Sequence, residues 1–152
     1  MKRILKILLL VLLVAFIAIQ FFPTQRNESD IVARTDFLIV NKSPKDISTI
    51  LRESCYDCHS NNTDYPWYNK IQPVAWFLED HVKHGKGELN FNTWDELSDR
   101  RKKSKLKSIT NQVKDGEMPL YSYTLIHRDA ILSDSDKNTI ENYMNSLMDI
   151  LE

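Results

Sequence analysis

Cysteine is scarce: the 152 residues contain two, Cys55 and Cys58. With no second cysteine pair, a four-cysteine zinc site is excluded. No cysteine follows the N-terminal apolar run, so none there could carry lipid. Glycine and proline are also sparse, at three and five, which leaves room for long helices. Neither sign of charge dominates, with 20 Lys+Arg against 21 Asp+Glu. That argues against a nucleic-acid binder, whose domain is usually strongly basic. A content of 27% charged and 42% hydrophobic residues fits a globular chain rather than a disordered one.

Both cysteines stand in one pentapeptide, Cys55-Tyr56-Asp57-Cys58-His59. C-x-x-C-H reads as a covalent c-type haem attachment site. Each thiol adds to a haem vinyl group, forming a thioether, and His59 ligates the iron. The two-residue gap sets both sulfurs on one side of a short helical turn. Three rivals remain. One is a dithiol redox pair. The second is a zinc site completed by His59 with His81, His84 or His127. The third is a structural disulfide or two idle thiols.

Lys2, Arg3 and Lys6 precede an apolar run from Ile7 to Ile19, which Gln20, Phe21, Phe22 and Pro23 close. Counted from Ile4 the stretch is about 19 residues, near the length of a membrane span. It lacks a good small-residue cleavage pattern, so residues 1–23 read as an uncleaved signal anchor and transmembrane helix. The positive-inside rule keeps the basic cluster in the cytoplasm and sends the rest to the periplasmic face of the cytoplasmic membrane. Residues 24–42 read as a linker, polar from Thr24 to Asp30, with Phe37-Leu38-Ile39-Val40 as an extended segment. Residues 43–152 read as the haem-binding domain.

Within that domain the periodicity predicts helices. Ser43 caps the first, with Pro44 at its first position and Asp46 in its first turn. Ile47, Ile50, Leu51, Ser54 and Cys55 share a face that leads into the motif. Asn61 to Tyr68 is a turn-rich connector with Tyr65, Trp67 and Tyr68. Pro73 opens a helix to about His84, with Val74, Phe77, Leu78 and His81 on one stripe and Gly85 and Gly87 ending it. Thr93 and Glu96 match a capping box for a helix to about Asp115, with Leu97, Leu106, Ile109 and Val113 as its apolar positions and Gly116 just past its end. Six basic residues fall between Arg100 and Lys107. They form either a solvated face or a docking patch for an acidic redox partner or anionic lipid. Ser133, with Asp136, caps a last helix whose stripe of Ile140, Tyr143, Met144, Leu147 and Leu151 should pack on the first domain helix.

Met118 is the expected sixth ligand. Met1 initiates the chain, and Met144 and Met148 fit core packing. Met118 alone lies on a loop after a helix end, stiffened by Pro119. A thioether opposite histidine raises the reduction potential of a haem. His81, His84 and His127 are lesser ligand candidates, and Arg128 is a candidate partner for a haem propionate.

The stretch CYDCHSNNTDYPWY (55–68) resembles the haem-binding domain family of small exported c-type cytochromes. HVKHGKGELNFNTW (81–94) and GEMPLYSYTLIHRDAILS (116–133) extend the resemblance in the family's order, from about residue 37 to the end. It implies an all-α, cytochrome-c-like domain, thioethers at Cys55 and Cys58, and His59 as proximal ligand. Met118 falls at the position of the distal ligand. The expected function is that of a membrane-anchored monohaem c-type cytochrome, a one-electron carrier working with redox partners at the membrane. It would not be an enzyme. The alternative is a haem sensor or peroxidase-like enzyme, which requires an open sixth iron position.

Overall fold

The computed structural model describes residues 1–29 and 31–151; Asp30 of the expected linker and Glu152 lie outside them. As expected, the domain is helical, with no strand among the described residues. Among the described residues eight α-helices run in chain order: α1 (Lys2–Ile19), α2 (Phe37–Val40), α3 (Lys45–Ser54), α4 (Tyr56–His59), α5 (Val74–Glu88), α6 (Asp99–Lys114), α7 (Tyr121–Thr124) and α8 (Asp134–Ile150). Short 3₁₀ turns cover Trp67–Lys70, Phe91–Glu96 and Arg128–Ala130.

The N-terminal helix forms where expected, but its apolar part is short. No helix among the described residues is long and apolar enough to cross a membrane. The basic residues occupy the first turns of α1, and the fully apolar run that follows, from Ile7 to Ile19, reaches only about 20 Å at the helical rise. None of its residues is buried.

The linker expectation is corrected. Phe37 to Val40 is a turn of helix rather than an extended segment, and Phe37 and Leu38 belong to the core. The cause is Asp36, whose Oδ1 accepts from Leu38 N at 2.9 Å and so starts the turn. Phe37 is 0% exposed. Its ring meets Trp94 edge-on at 4.9 Å and Phe91 at 5.3 Å. The earlier part of the segment is docked as well. Asn27 Nδ2 donates to Ser60 O and Thr63 Oγ1, each at 2.9 Å. Asn27, Phe37 and Leu38 are therefore tied to the residues that follow.

Ser43 does not cap α3. Its hydroxyl pairs with the Tyr143 hydroxyl at 2.8 Å, and Pro44 takes the capping position. Ile47, Leu51 and Ser54 are buried as expected. The Thr93–Glu96 capping box is absent. Asn90 caps a 3₁₀ turn there by accepting from Asn92 N at 3.0 Å, and Thr93 is non-helical at φ −109°. That turn drives Trp94 into the core, and α6 starts only after Ser98. The α6 terminus is as expected: Gly116 has φ +72°, a left-handed conformation glycine adopts freely. The Ser133–Asp136 capping box of α8 is present. Ile140, Met144 and Leu147 are buried, and α8 packs chiefly on α6 and less on α3.

α5 departs most. It runs straight through Gly85 and Gly87 to Glu88. Its buried positions are Ala75 and Val82, whereas Val74 and Phe77 of the expected stripe face outward. A Cβ built on Gly85 would lie 2.8 Å from the Cys58 carbonyl oxygen. Gly85 is thus the point where α5 lies against the motif, not a helix stop.

Asp36 is a buried carboxylate, 1% exposed. Besides Leu38 N, it accepts from Asn92 Nδ2 at 2.7 Å and from the Tyr56 hydroxyl at 3.1 Å. Burial and then Asp36 push the Tyr56 phenol well above its ordinary range, so Tyr56 remains a donor. Asp36→Asn trades one accepting oxygen for an amide that faces a donor. Urea unfolding is expected to show a loss of about 1–2 kcal/mol, since hydrogen bonds to a charged group are stronger than neutral ones.

Candidate functional site

α3 delivers its last turn to Cys55, whose N–H donates to Leu51 O at 2.9 Å. The chain breaks there and restarts as the single turn α4, with His59 N donating to Cys55 O at 3.0 Å. This kink turns both cysteines and His59 toward one cavity of about 380 Å³. Met118 lines the same cavity, although it lies about 60 residues further along the chain. Leu89, Phe91, Ile109, Val113 and Leu120 supply apolar walls.

The His59 ring is oriented for metal binding. Nδ1 lies 3.0 Å from the Leu89 carbonyl oxygen, an acceptor only, so Nδ1 carries the proton. Nε2 is left with its lone pair, and the hydrogen bond fixes the ring, as in metal-ligating histidines generally. Burial holds the imidazole below its ordinary pKa and so favours the neutral ligand form. Phe91 meets it edge-on at 6.3 Å and itself stacks on Tyr56 at 4.9 Å. The buried Asp36–Tyr56 pair thereby supports the ring that faces His59.

The cysteines are free thiols. Burial pushes Cys55 up to about 12, and Cys58 up to about 11. Both stay protonated at neutral pH, unlike the low-pKa thiolate of a dithiol oxidoreductase. Among the described residues no cluster of three or more His, Cys, Asp or Glu is placed to hold a metal ion.

A haem fits what is present. Two soft thiols, one oriented neutral imidazole and one thioether open into a single apolar-walled cavity. When bound, haem supplies a one-electron Fe(II)/Fe(III) couple.

The other candidates divide. His81 and His84 line the cavity, with Nδ1 held by Phe77 O at 2.8 Å and by Asp80 O at 2.7 Å respectively. His127 does not line it. Its Nε2 pairs with the Tyr68 hydroxyl at 2.8 Å, and its ring stacks on Tyr123 at 4.3 Å, so the ligand expectation for His127 is corrected. Arg128 is exposed and outside the lining, so it makes no propionate site there. In the basic run, Lys102 pairs with Asp95 at 2.9 Å and Lys105 approaches Glu88 at 3.8 Å, while Arg100, Arg101 and Lys107 face solvent.

Sequence reasoning missed Asp57 and Tyr123. The Tyr123 hydroxyl donates to Asp57 Oδ2 at 2.6 Å, joining the motif to the helix just after Met118. Burial and this bond raise the Tyr123 phenol far above its usual range. Both residues line the cavity that Met118 also lines. The tyrosine-rich run was visible, but a bond across 66 residues leaves no sequence signal. Tyr123→Phe is expected to cost about 1 kcal/mol in urea unfolding, since the pair is partly solvated.

The fold and the donor set agree with the comparison to known proteins. The chain matches the haem-binding domain family over residues 14–146. Searches of curated proteins and of solved structures found no match. The match spans α2 to α7, most of α8 and the whole cavity, so the chain belongs to the haem-binding domain family.

Proposed function

We propose that this protein is a monohaem c-type cytochrome that carries single electrons. Cys55 and Cys58 hold the haem through thioethers, and His59 and Met118 are its axial ligands. The observation that carries this reading is the convergence of all four donors on one cavity, with His59 Nδ1 tied back to Leu89 O at 3.0 Å. A His–Met pair leaves no open iron position for oxygen or peroxide, which favours a carrier over a sensor or peroxidase-like enzyme. The order of parts supports the cytochrome-c-like fold: a motif after the first domain helix, a methionine loop late in the chain, and a closing C-terminal helix.

The carrier acts at the periplasmic side of the cytoplasmic membrane, attached by α1. Apolar side chains are exposed on all sides of this helix, a pattern suited to lipid rather than water. Snorkelling of Lys6, with Phe21 and Phe22 beyond the helix end, lengthens the apolar stretch. An acidic redox partner would meet Arg100, Arg101 and Lys107, on the helix whose inner face lines the cavity.

The test is a redox titration of the matured protein. One reversible one-electron step, with no carbon monoxide binding in the ferrous state, is expected. A high-spin spectrum with tight carbon monoxide binding would favour the sensor.

A further inference from the structure

Phe21 and Phe22, just past the C-terminal end of α1, are exposed, and so are Trp67, Ile71, Val74, Trp76 and Phe77 on the segment that leads into and opens α5. Trp67 is 76% exposed. Hydrogen bonds join the two segments. Gln20 Oε1 accepts from Gln72 N at 2.9 Å, and Gln20 Nε2 donates to Gln72 O at 3.1 Å. Gln72 Nε2 and Trp76 Nε1 both donate to Phe22 O, at 3.1 and 3.0 Å. Gln72 itself is 4% exposed, so this joint is built into the fold. The reciprocal amide pair fixes the end of α1 to the turn that opens α5.

We propose that this collar is a lipid-contacting seat, held in the interfacial layer of the leaflet from which α1 emerges. The proposal rests on the reading of α1 as a membrane anchor and goes beyond it: the domain sits on the bilayer in one orientation instead of swinging from a tether. Continuity is the reason to favour lipid over a protein partner. A bilayer that holds α1 lies beside the segment bonded to its end, and Trp76, which makes one of those bonds, stands on that segment with the exposed Trp67, Ile71, Val74 and Phe77. Such side chains favour the membrane–water interface, and contiguous exposed apolar patches mark interaction sites. The cavity begins further along α5, at Asp80. Phe77 marks the edge between the two, its ring lying 4.2 Å from that of His81, which lines the cavity, while Gly85 stands about 16 Å further along the helix than Val74.

The full-length, haem-loaded chain would be reconstituted in phosphatidylcholine–phosphatidylglycerol vesicles containing a diazirine-bearing phospholipid. After irradiation, lipid adducts are mapped by peptide mass spectrometry. Adducts on α1 and on peptides covering 67–77, with none on α8, are the expected result. Adducts on α1 alone would overturn the seat and leave the anchor standing. Absence of adducts from both would overturn the seat together with the anchor. Gln20→Ala removes the amide pair without touching the cavity, and should lower labelling of 67–77 several-fold while α1 labelling is unchanged. Equal labelling of 67–77 in this variant and the parent would overturn the role given to the joint.

Discussion

Gly85→Val is expected to separate α5 from the motif helix and to lower both stability and haem content. The new Cβ would sit 2.8 Å from the Cys58 carbonyl oxygen and 3.2 Å from Cys58 Cβ. Neither atom is the far end of a flexible side chain, so one helix must move. Overpacking of this kind costs about 1–3 kcal/mol. The better helix propensity of valine over glycine returns less than about 1 kcal/mol, so the loss wins. The shift acts on Cys58 itself, and on Leu89, which follows α5 and orients His59. Haem per chain should therefore fall along with the urea midpoint. An unchanged midpoint and full haem content would show that the close approach is not tight. Gly87→Val is the control, because a Cβ there meets nothing within 4 Å.

Met118→Ala is expected to free the sixth iron position. The methionine–iron band in the near-infrared should vanish from the ferric spectrum, the potential should drop, and the ferrous protein should bind carbon monoxide. The potential falls because the thioether favours Fe(II), and its loss removes that preference. The backbone should hold, since Met118 N donates to Gln112 O at 3.1 Å whatever the side chain. Loss of the band therefore reports ligation rather than a collapsed loop. If the spectrum were unchanged, Met118 would not be the ligand, and His81→Ala and His84→Ala would follow, since both rings line the cavity.

The parts legible in the sequence are those set by local chemistry. The C-x-x-C-H pentapeptide, the Ser133–Asp136 box and Gly116 each depend on neighbours within a few residues. Met118 was singled out because composition left few other soft donors, and it does line the cavity. Long-range packing was not legible. Asp36 and Phe37 look like the end of a linker, yet a buried carboxylate and an aromatic cluster draw them into the core. The Val74–Phe77 stripe has helical spacing, but α5 turns a smaller residue, Ala75, inward, and Gly85 is spent on contact with the motif. Glycine reads as a stop when only propensity is weighed, and its role against Cys58 exists only once the two helices meet. The Leu89 carbonyl that orients His59 carries no sequence signal, because every residue has one.

The carrier reading depends on haem joined by carbon–sulfur bonds to Cys55 and Cys58. The most direct measurement is an intact mass of the protein matured in an exporting host, taken from a denaturing-gel band stained for haem. One haem added to the polypeptide mass, retained through denaturation and lost in a Cys55→Ser, Cys58→Ser double variant, is the predicted result. A band with the mass of the bare polypeptide and no stain would contradict it.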